Sequence, residues 1–447
     1  MVNRRREPPS RPPLFAGGNG IDVRKTAAGQ FFQSTSEIDR HAARVRLLSL
    51  FAGPQPRLDL PVPPSLPPRL LERIFYSEAG SSLLLLAATV AALVWANSAW
   101  EPAYQHLWQV PLTLGAGPFS ISESLHFWVN EGLMAVFFLA VGLEIRREFI
   151  EGDLRSLRMA ALPVVSAVGG VVVPALIYLA LNSDSQVRRG WAIPTATDIA
   201  FAIAVFALLR RAAPPGLRAL LLAIAVVDDI VAIVVIAVFY ADGIGIGGLG
   251  IAGAATAAGL LLRVIGSRWV FLYALPGVAI WVGLLRSGVH PALAGVILGL
   301  LPPKGAALHA EHAIRPWVVF GIMPVFALAN AGVTIHALAL DLPTVIRLAG
   351  GIAVALVIGK PLGIILAAVI GVKIGWCALP PGVDMRRFAV VGFLGGIGFT
   401  MSLFVCNLAF TGELLATAKL AVLVGSSLAA IGGLVVGRSI LGDREPL

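Results

Sequence analysis

The chain has 447 residues, of which 57% are hydrophobic and only 13% charged, with a net charge of +9 and a mean hydropathy of +0.85. A soluble domain carries about 25% charged residues, so this composition excludes one; the basic excess marks the cytoplasmic loops of a multi-pass membrane protein, not contact with nucleic acid. The two cysteines, Cys377 and Cys406, suggest neither a disulfide framework nor metal chemistry.

Residues 1–78 hold 12 of the 34 Lys and Arg and several proline clusters, such as PQPRLDLPVPPSLPPRL. The apolar piece LLSLFAG at 47–53 is too short for a signal-peptide core. This segment reads as a disordered, solvated cytoplasmic tail. Residues 79–440 read as a transmembrane domain, and 441–447 as a short cytoplasmic tail. Apolar runs fall near 79–98, 125–149, 158–182, 190–211, 216–241, 246–264, 270–286, 288–302, 312–335, 345–373, 386–411 and 414–440. Their lengths predict an all-α polytopic protein of about twelve transmembrane helices, with 270–302 dividing least cleanly. With a cytoplasmic N-terminus, inside loops and the C-terminal tail carry sixteen Lys and Arg against five outside, which supports twelve spans with both ends inside. The outside stretch 110–122, VPLTLGAGPFSIS, places two β-prone arms around Gly115-Ala116-Gly117 and predicts a β-hairpin. An isolated hairpin is marginal in water, so this one needs something to pair with.

Four spans carry features that lipid disfavours. In LRALLLAIAVVDDIVAIVVIAVFYA, Asp228 and Asp229 lie side by side at membrane depth. Carboxylates there are costly, so they face a water-filled path or a partner. In AIPTATDIAFA, Pro194 removes a backbone donor, and the thread Thr195 to Asp198 can satisfy the exposed backbone of an interrupted helix. GGIGFTMSLF, with Gly395, Gly396, Gly398, Thr400 and Ser402, is a second candidate break, or a stripe of small residues for close helix packing. LVIGKPLGI places Lys360 at mid-membrane, where its ammonium needs a carboxylate.

The two breaks occupy matching places, in the middle helix of the triplets 158–241 and 345–440, as in inverted-repeat transporters. Half-helices that meet end to end bring like dipole ends together. Asp198 suits the positive ends and Lys360 the negative ones. Hard cations favour oxygen ligands, and Asp229, Asp228, Asp198 and Thr197 supply them. Carboxylates also bind protons, so one site that holds either Na⁺ or H⁺ is the simplest exchanger.

ATDIAFA, VVDDIVAIVVIAVFY, RSGVHPALAGV, IGKPLGI, GGIGFTMS and FLAVGLEIRRE, in that context, resemble the NhaA-type sodium/proton antiporters from about residue 75 to the C-terminus. That family is itself a type example of the inverted-repeat architecture. The resemblance implies twelve helices, two of them discontinuous and crossing at mid-membrane. It implies electrogenic, pH-regulated exchange of Na⁺ or Li⁺ for H⁺ across the bacterial inner membrane, with no cofactor and no enzymatic activity. Asp228 and Asp229 match the paired ion-site aspartates, Asp198 and Thr197 the unwound-helix pair, and Lys360 the lysine partner of Asp228. Glu144, Arg147 and Glu148 match a charged cluster linked to pH response, and Glu311 and His290 match positions tied to pH behaviour. The hairpin resembles the family's homodimerisation element. The 78-residue tail departs from the usual pattern, Glu131 stands where an aspartate is common, and Arg315 replaces a frequent histidine.

Two other functions are weighed against exchange. A sodium-coupled anion or solute carrier lacks an intramembrane arginine for its substrate. A membrane enzyme with paired aspartates needs a further acidic residue in the motif, but Asp229 is followed by IVAIVV.

Overall fold

The computed structural model describes residues 78–442, apart from 116, 118–119, 210–212, 242, 268 and 335–340. The predicted tails, 1–78 and 441–447, lie outside the described residues except for Glu78, which opens the first helix, and Leu441 and Gly442, at the end of the last.

The described residues are helical almost throughout. After α1 (Glu78–Ala96) and α2 (Glu101–Gln109) come two short strands, β1 (Pro111–Leu114) and β2 (Ile121–Ser124). They pair antiparallel, with Leu112 opposite Glu123 and Thr113 opposite Ser122. Then follow α3 (Leu125–Ile150), α4 (Leu157–Leu181), α5 (Ser185–Thr195), α6 (Ile199–Ala207), α7 (Pro215–Phe239) and α8 (Ile246–Val264). The second half contains α9 (Val270–Ser287), α10 (Pro291–Leu300), α11 (Lys304–Asn330), α12 (Leu342–Ile374), α13 (Met385–Gly395), α14 (Phe399–Ala409) and α15 (Gly412–Leu441).

Among the described residues, eight helices are long and apolar enough to cross a bilayer: α3, α4, α7, α8, α9, α11, α12 and α15. Three bent pairs pass the same test only together: α1 with α2 (114°), α5 with α6 (47°) and α13 with α14 (44°). Helix α10 is apolar but shorter.

Local chemistry sets the helix ends. Pro215 opens α7 at a position where a missing N–H costs nothing. Asp384 accepts from the Arg387 N–H at the start of α13. Helix α12 stops at Gly375, whose φ of 82° suits a residue without Cβ.

Packing follows the membrane pattern. Leu83, Val264, Leu275 and Ile370 are exposed on the outer surface, where lipid is the solvent. Small residues let backbones touch inside. A Cβ on Gly363 of α12 would lie 2.1 Å from the Gly169 carbonyl of α4, so these helices are in direct backbone contact. That contact holds α12, and with it Lys360, against the α4–α7 side of the molecule. One turn before Lys360, Ala355–Gly359 winds as a π-helix, a distortion often found at functional sites. Leu356, Ile364, Leu394, Ile397 and Leu403 are fully buried around it and form the core in which the two breaks sit.

Candidate ion-transport site

Residues 196–198 and 396–398 interrupt their spans and meet. The Asp198 N–H donates to the Ile397 carbonyl at 2.7 Å, and the Ser402 hydroxyl donates to the Ile193 carbonyl at 2.7 Å. The two unwound strands are thus bonded to each other, and Ser402 of α14 reaches the backbone of α5, as burial without water requires. Four half-helices end at this junction.

Asp198 serves two of them. Its Oδ1 accepts from the Phe201 N–H at 3.0 Å, capping α6. Its Oδ2 accepts from the Thr400 N–H at 3.1 Å and from the Thr400 hydroxyl, near the start of α14. One carboxylate therefore faces two positive helix ends. The Ser426 hydroxyl of α15 accepts from the Phe399 N–H at 3.0 Å and completes the α14 terminus. Ser426 escaped the sequence reading; a buried serine within an apolar span was its only signal.

Lys360 serves the opposite polarity. Its ammonium donates to the Thr195 carbonyl, at the last residue of α5, and lies 2.9 Å from Asp228 Oδ2. Neither the Lys360 nor the Asp228 side chain is exposed. The Thr197 hydroxyl lies 2.6 Å from that same Oδ2 and 2.9 Å from the Gly395 carbonyl. A hydroxyl carries one proton and can donate to only one of them at a time. An ionised Asp228 accepts from Thr197; a protonated Asp228 can donate to Thr197 while Thr197 donates to Gly395. The charge state of Asp228 is thereby tied to the backbone of α13.

Asp229, one residue on, has different surroundings. It lines a cavity of about 410 Å³ together with Thr197, Asp198 and Thr400 at one end and Glu144, Glu311 and Arg315 at the other. Neither Asp228 nor Lys360 lines it. Oδ1 of Asp228 and Oδ1 of Asp229 are both buried with no hydrogen-bond partner. Unmet carboxylate oxygens at this depth are acceptors ready for a proton or a cation. The expected oxygen set of Asp229, Asp228, Asp198 and Thr197 does not converge on one point. Among the described residues no three acidic, His or Cys side chains form a metal-holding group, and Asp198 is committed to helix ends.

The predicted pH-response residues separate into two places. Arg147 joins Glu144 and Glu148, each at 3.6 Å, and Glu311 of α11 at 2.6 Å. Glu144 and Glu311 also line the cavity, so this cluster stands at its mouth. His290 is elsewhere. Its Nδ1 is 3.3 Å from Glu131, its Nε2 is 3.1 Å from the Tyr240 carbonyl, and Glu131 also accepts from the Ala292 N–H at 3.1 Å. Glu131 and Glu144 are thirteen residues apart on α3, roughly 20 Å along a helix.

Comparison with known proteins identifies the family. The profile of the family described as Na⁺/H⁺ antiporter 1 matches residues 72–436. The Na(+)/H(+) antiporter NhaA of Acidovorax sp. (strain JS42) is 47% identical, covering 86% of this chain and 96% of that protein. The Na(+)/H(+) antiporter NhaA 2 of Sorangium cellulosum (strain So ce56) is 45% identical, covering 84% and 91%. The solved structure of the sodium proton antiporter MjNhaP1 from Methanocaldococcus jannaschii at pH 8 shares the fold. Its TM-score is 0.50 at 14% identity, over 81% of this chain and 93% of that one. With a family profile over most of its length and relatives near half identity, the chain belongs to the NhaA-type Na⁺/H⁺ antiporter family.

Proposed function

We propose that this protein is a secondary active transporter of the bacterial inner membrane that exchanges cytoplasmic Na⁺ or Li⁺ for external H⁺. The observation that carries this reading is the cavity that leads from Glu144, Glu311 and Arg315 to the buried carboxylate of Asp229. Asp229 receives the cation, with Asp228 and Thr197 beside it as further oxygen ligands. Protons and cations compete for the same oxygens, so exchange needs no mechanical linkage beyond one site that never holds both. Because Asp229 releases one proton and the Lys360–Asp228 pair another when the cation binds, more protons than cations move per cycle and the exchange is electrogenic. Asp198 and Lys360 neutralise the half-helix ends and keep the crossing assembled.

Taken with the eight long helices and the two pairs broken at the site, α1 and the shorter α10 would bring the spans to the twelve of the family pattern. The run α4, α5–α6, α7 and the run α12, α13–α14, α15 repeat one pattern, with breaks of 47° and 44° at the same place. Two such triplets inserted in opposite senses form the inverted repeat for which this family is a type example. Lys and Arg concentrate on the loops at the cavity mouth, which makes that side, and both termini, cytoplasmic. The Arg147 cluster at the mouth sets the pH response, with His290 acting from a second position. The β1–β2 pair, on the external side, joins two copies into a homodimer; deleting 110–122 weakens that dimer in detergent while exchange persists.

The test is a pH-gradient assay in everted membrane vesicles, adding Na⁺, Li⁺ or K⁺ in turn. Na⁺ or Li⁺ collapses the gradient in vesicles that carry the protein, and Asp229→Asn abolishes the response. A gradient untouched by any of these ions, or an Asp229→Asn protein with normal sodium-driven proton movement, would sink this reading.

A further inference from the structure

On the far side of the crossing from the cavity, α3, α11, α14 and α15 bring four polar side chains together inside the protein. The Asn330 amide donates to Asn130 Oδ1 at 3.0 Å, and the Asn407 amide donates to Asn330 Oδ1 at 2.7 Å and reaches Asn130 Oδ1 at 3.4 Å. The Lys419 ammonium donates to Asn330 Oδ1 at 3.3 Å. The Asn130 amide continues the chain to His126, through its carbonyl at 2.9 Å and its ring. Asn330 and Lys419 are buried, at 1% and 8% exposure, and Asn407 Oδ1 is buried with no hydrogen-bond partner.

Helix rise places this cluster on the transport axis. Asn330 lies fifteen residues beyond Arg315 at the cavity mouth, roughly 22 Å along α11. Asn407 lies seven residues beyond Thr400, which touches Asp198, roughly 10 Å along α14. Asn130 and Glu144 stand near opposite ends of α3. The cavity and the cluster therefore flank the aspartates from opposite sides, and the cavity lining contains no member of the cluster.

The connectivity is informative. Asn130 and Asn330 come from helices that carry no break. Asn407 and Lys419 come from the broken span α13–α14 and from α15, which caps it through Ser426. Every bond between the two pairs spans the boundary between the broken-helix bundle and its neighbours. An apolar seal would suit a permanent barrier better, since buried amides are worth keeping only when paired. Amides that pair when closed and meet water when open suit a barrier that must part. Their carbonyl oxygens are also of the type that hard cations accept, and the Lys419 ammonium holds that place among them in the closed form.

We propose that Asn130, Asn330 and Asn407, with Lys419 as a tethered ammonium, form the outer constriction of the transport path. The bonds across the boundary separate when the aspartates turn to the outside, and the amide oxygens then pass the leaving cation. This rests on the exchange reading above.

The experiment uses the full chain with Cys377→Ala and Cys406→Ala. Asn130→Cys and Asn407→Cys are introduced together and bridged with a short bifunctional thiol reagent in proteoliposomes. The bridged protein loses Na⁺/H⁺ exchange and recovers it on reduction, while Na⁺ added from the cavity side still raises its thermal stability. Continued exchange in the bridged protein overturns the proposal. A second measurement needs no bridge: with Asn407→Cys alone, a membrane-impermeant thiol reagent labels from the outside during a sodium gradient. Labelling from the cavity side only, or from neither side, overturns the proposal independently. Absence of exchange in the Cys377→Ala/Cys406→Ala chain with Asn130 and Asn407 intact counts against the exchange reading and leaves the labelling result to decide the constriction.

Discussion

Lys360 and Asp228 meet at 2.9 Å with neither side chain exposed, while the adjacent Asp229 turns to a cavity that Lys360 does not touch. One aspartate is held by a fixed cation and the other is left for a mobile one. The two-residue motif is thus divided: Asp228 is paired with Lys360 and Asp229 faces the cavity, and exchange needs both.

That division makes Lys360 matter for stability first. Removing one member of a buried pair strands the other charge, at a cost of about 3–5 kcal/mol in soluble proteins. Lys360→Ala should lower the unfolding temperature in detergent and shift the pH profile of exchange. Asp228→Asn should also abolish exchange. The Lys360→Ala/Asp228→Asn protein should lose less stability than the two single losses added, because no unpaired charge remains. Strict additivity in thermal melts would show that the two residues are not coupled.

Asp198 caps two helices at once and should behave differently. Asp198→Ala removes hydrogen bonds to the Phe201 and Thr400 N–H groups. Each lost cap costs about 1 kcal/mol. Transport should be impaired but measurable, because Asp229, Asp228 and Thr197 keep their places. Thr400→Val removes only the hydroxyl donor and leaves both N–H groups bonded, so it should do less than Asp198→Ala. Complete inactivity of a well-folded Asp198→Ala protein would instead assign Asp198 to cation ligation.

The Arg147–Glu311 pair at 2.6 Å ties α3 to α11 at the cavity mouth. Without the guanidinium, Glu144, Glu148 and Glu311 face one another as like charges. Like charges oppose full ionisation of such a cluster. Arg147→Ala should therefore move the active range of exchange toward more alkaline pH, with maximal velocity less affected. Fluorescence dequenching in everted vesicles, taken across pH, would read the shift. An unchanged profile would remove the cluster from pH control.

The backbone contact between α4 and α12 gives a prediction independent of charge. A Cβ on Gly363 has no room against the Gly169 carbonyl, whereas one on Gly350 of the same helix meets nothing within 4 Å. Overpacking of this kind costs about 1–3 kcal/mol, and more where only backbone can yield. Gly363→Ala should lower the unfolding temperature and weaken transport by displacing Lys360. Gly350→Ala should do neither. Equal stability of the two variants would contradict the close approach.

Much of this was legible in the chain itself. Bilayer thickness turns a string of apolar residues into a helix of known minimum length. The runs at 216–241, 246–264 and 414–440 accordingly appear as α7, α8 and α15 within a few residues. Asp198, Asp228, Asp229 and Lys360 stood out for the same reason, because lipid makes an ionisable side chain conspicuous. The sequence could not show which carboxylate faces the cavity, since neighbours on a helix point about 100° apart and only the surrounding helices decide what each one meets. Nor could it separate His290 from the Glu144 cluster, or bring Glu311 to Arg147 across 164 positions. The asparagine cluster was likewise silent, because Asn130, Asn330, Asn407 and Lys419 stand on four helices and none carries a local motif. Local forces wrote the spans and the costly residues into the sequence; pairing between distant helices, which depends on packing over the whole bundle, was decided only by the tertiary structure.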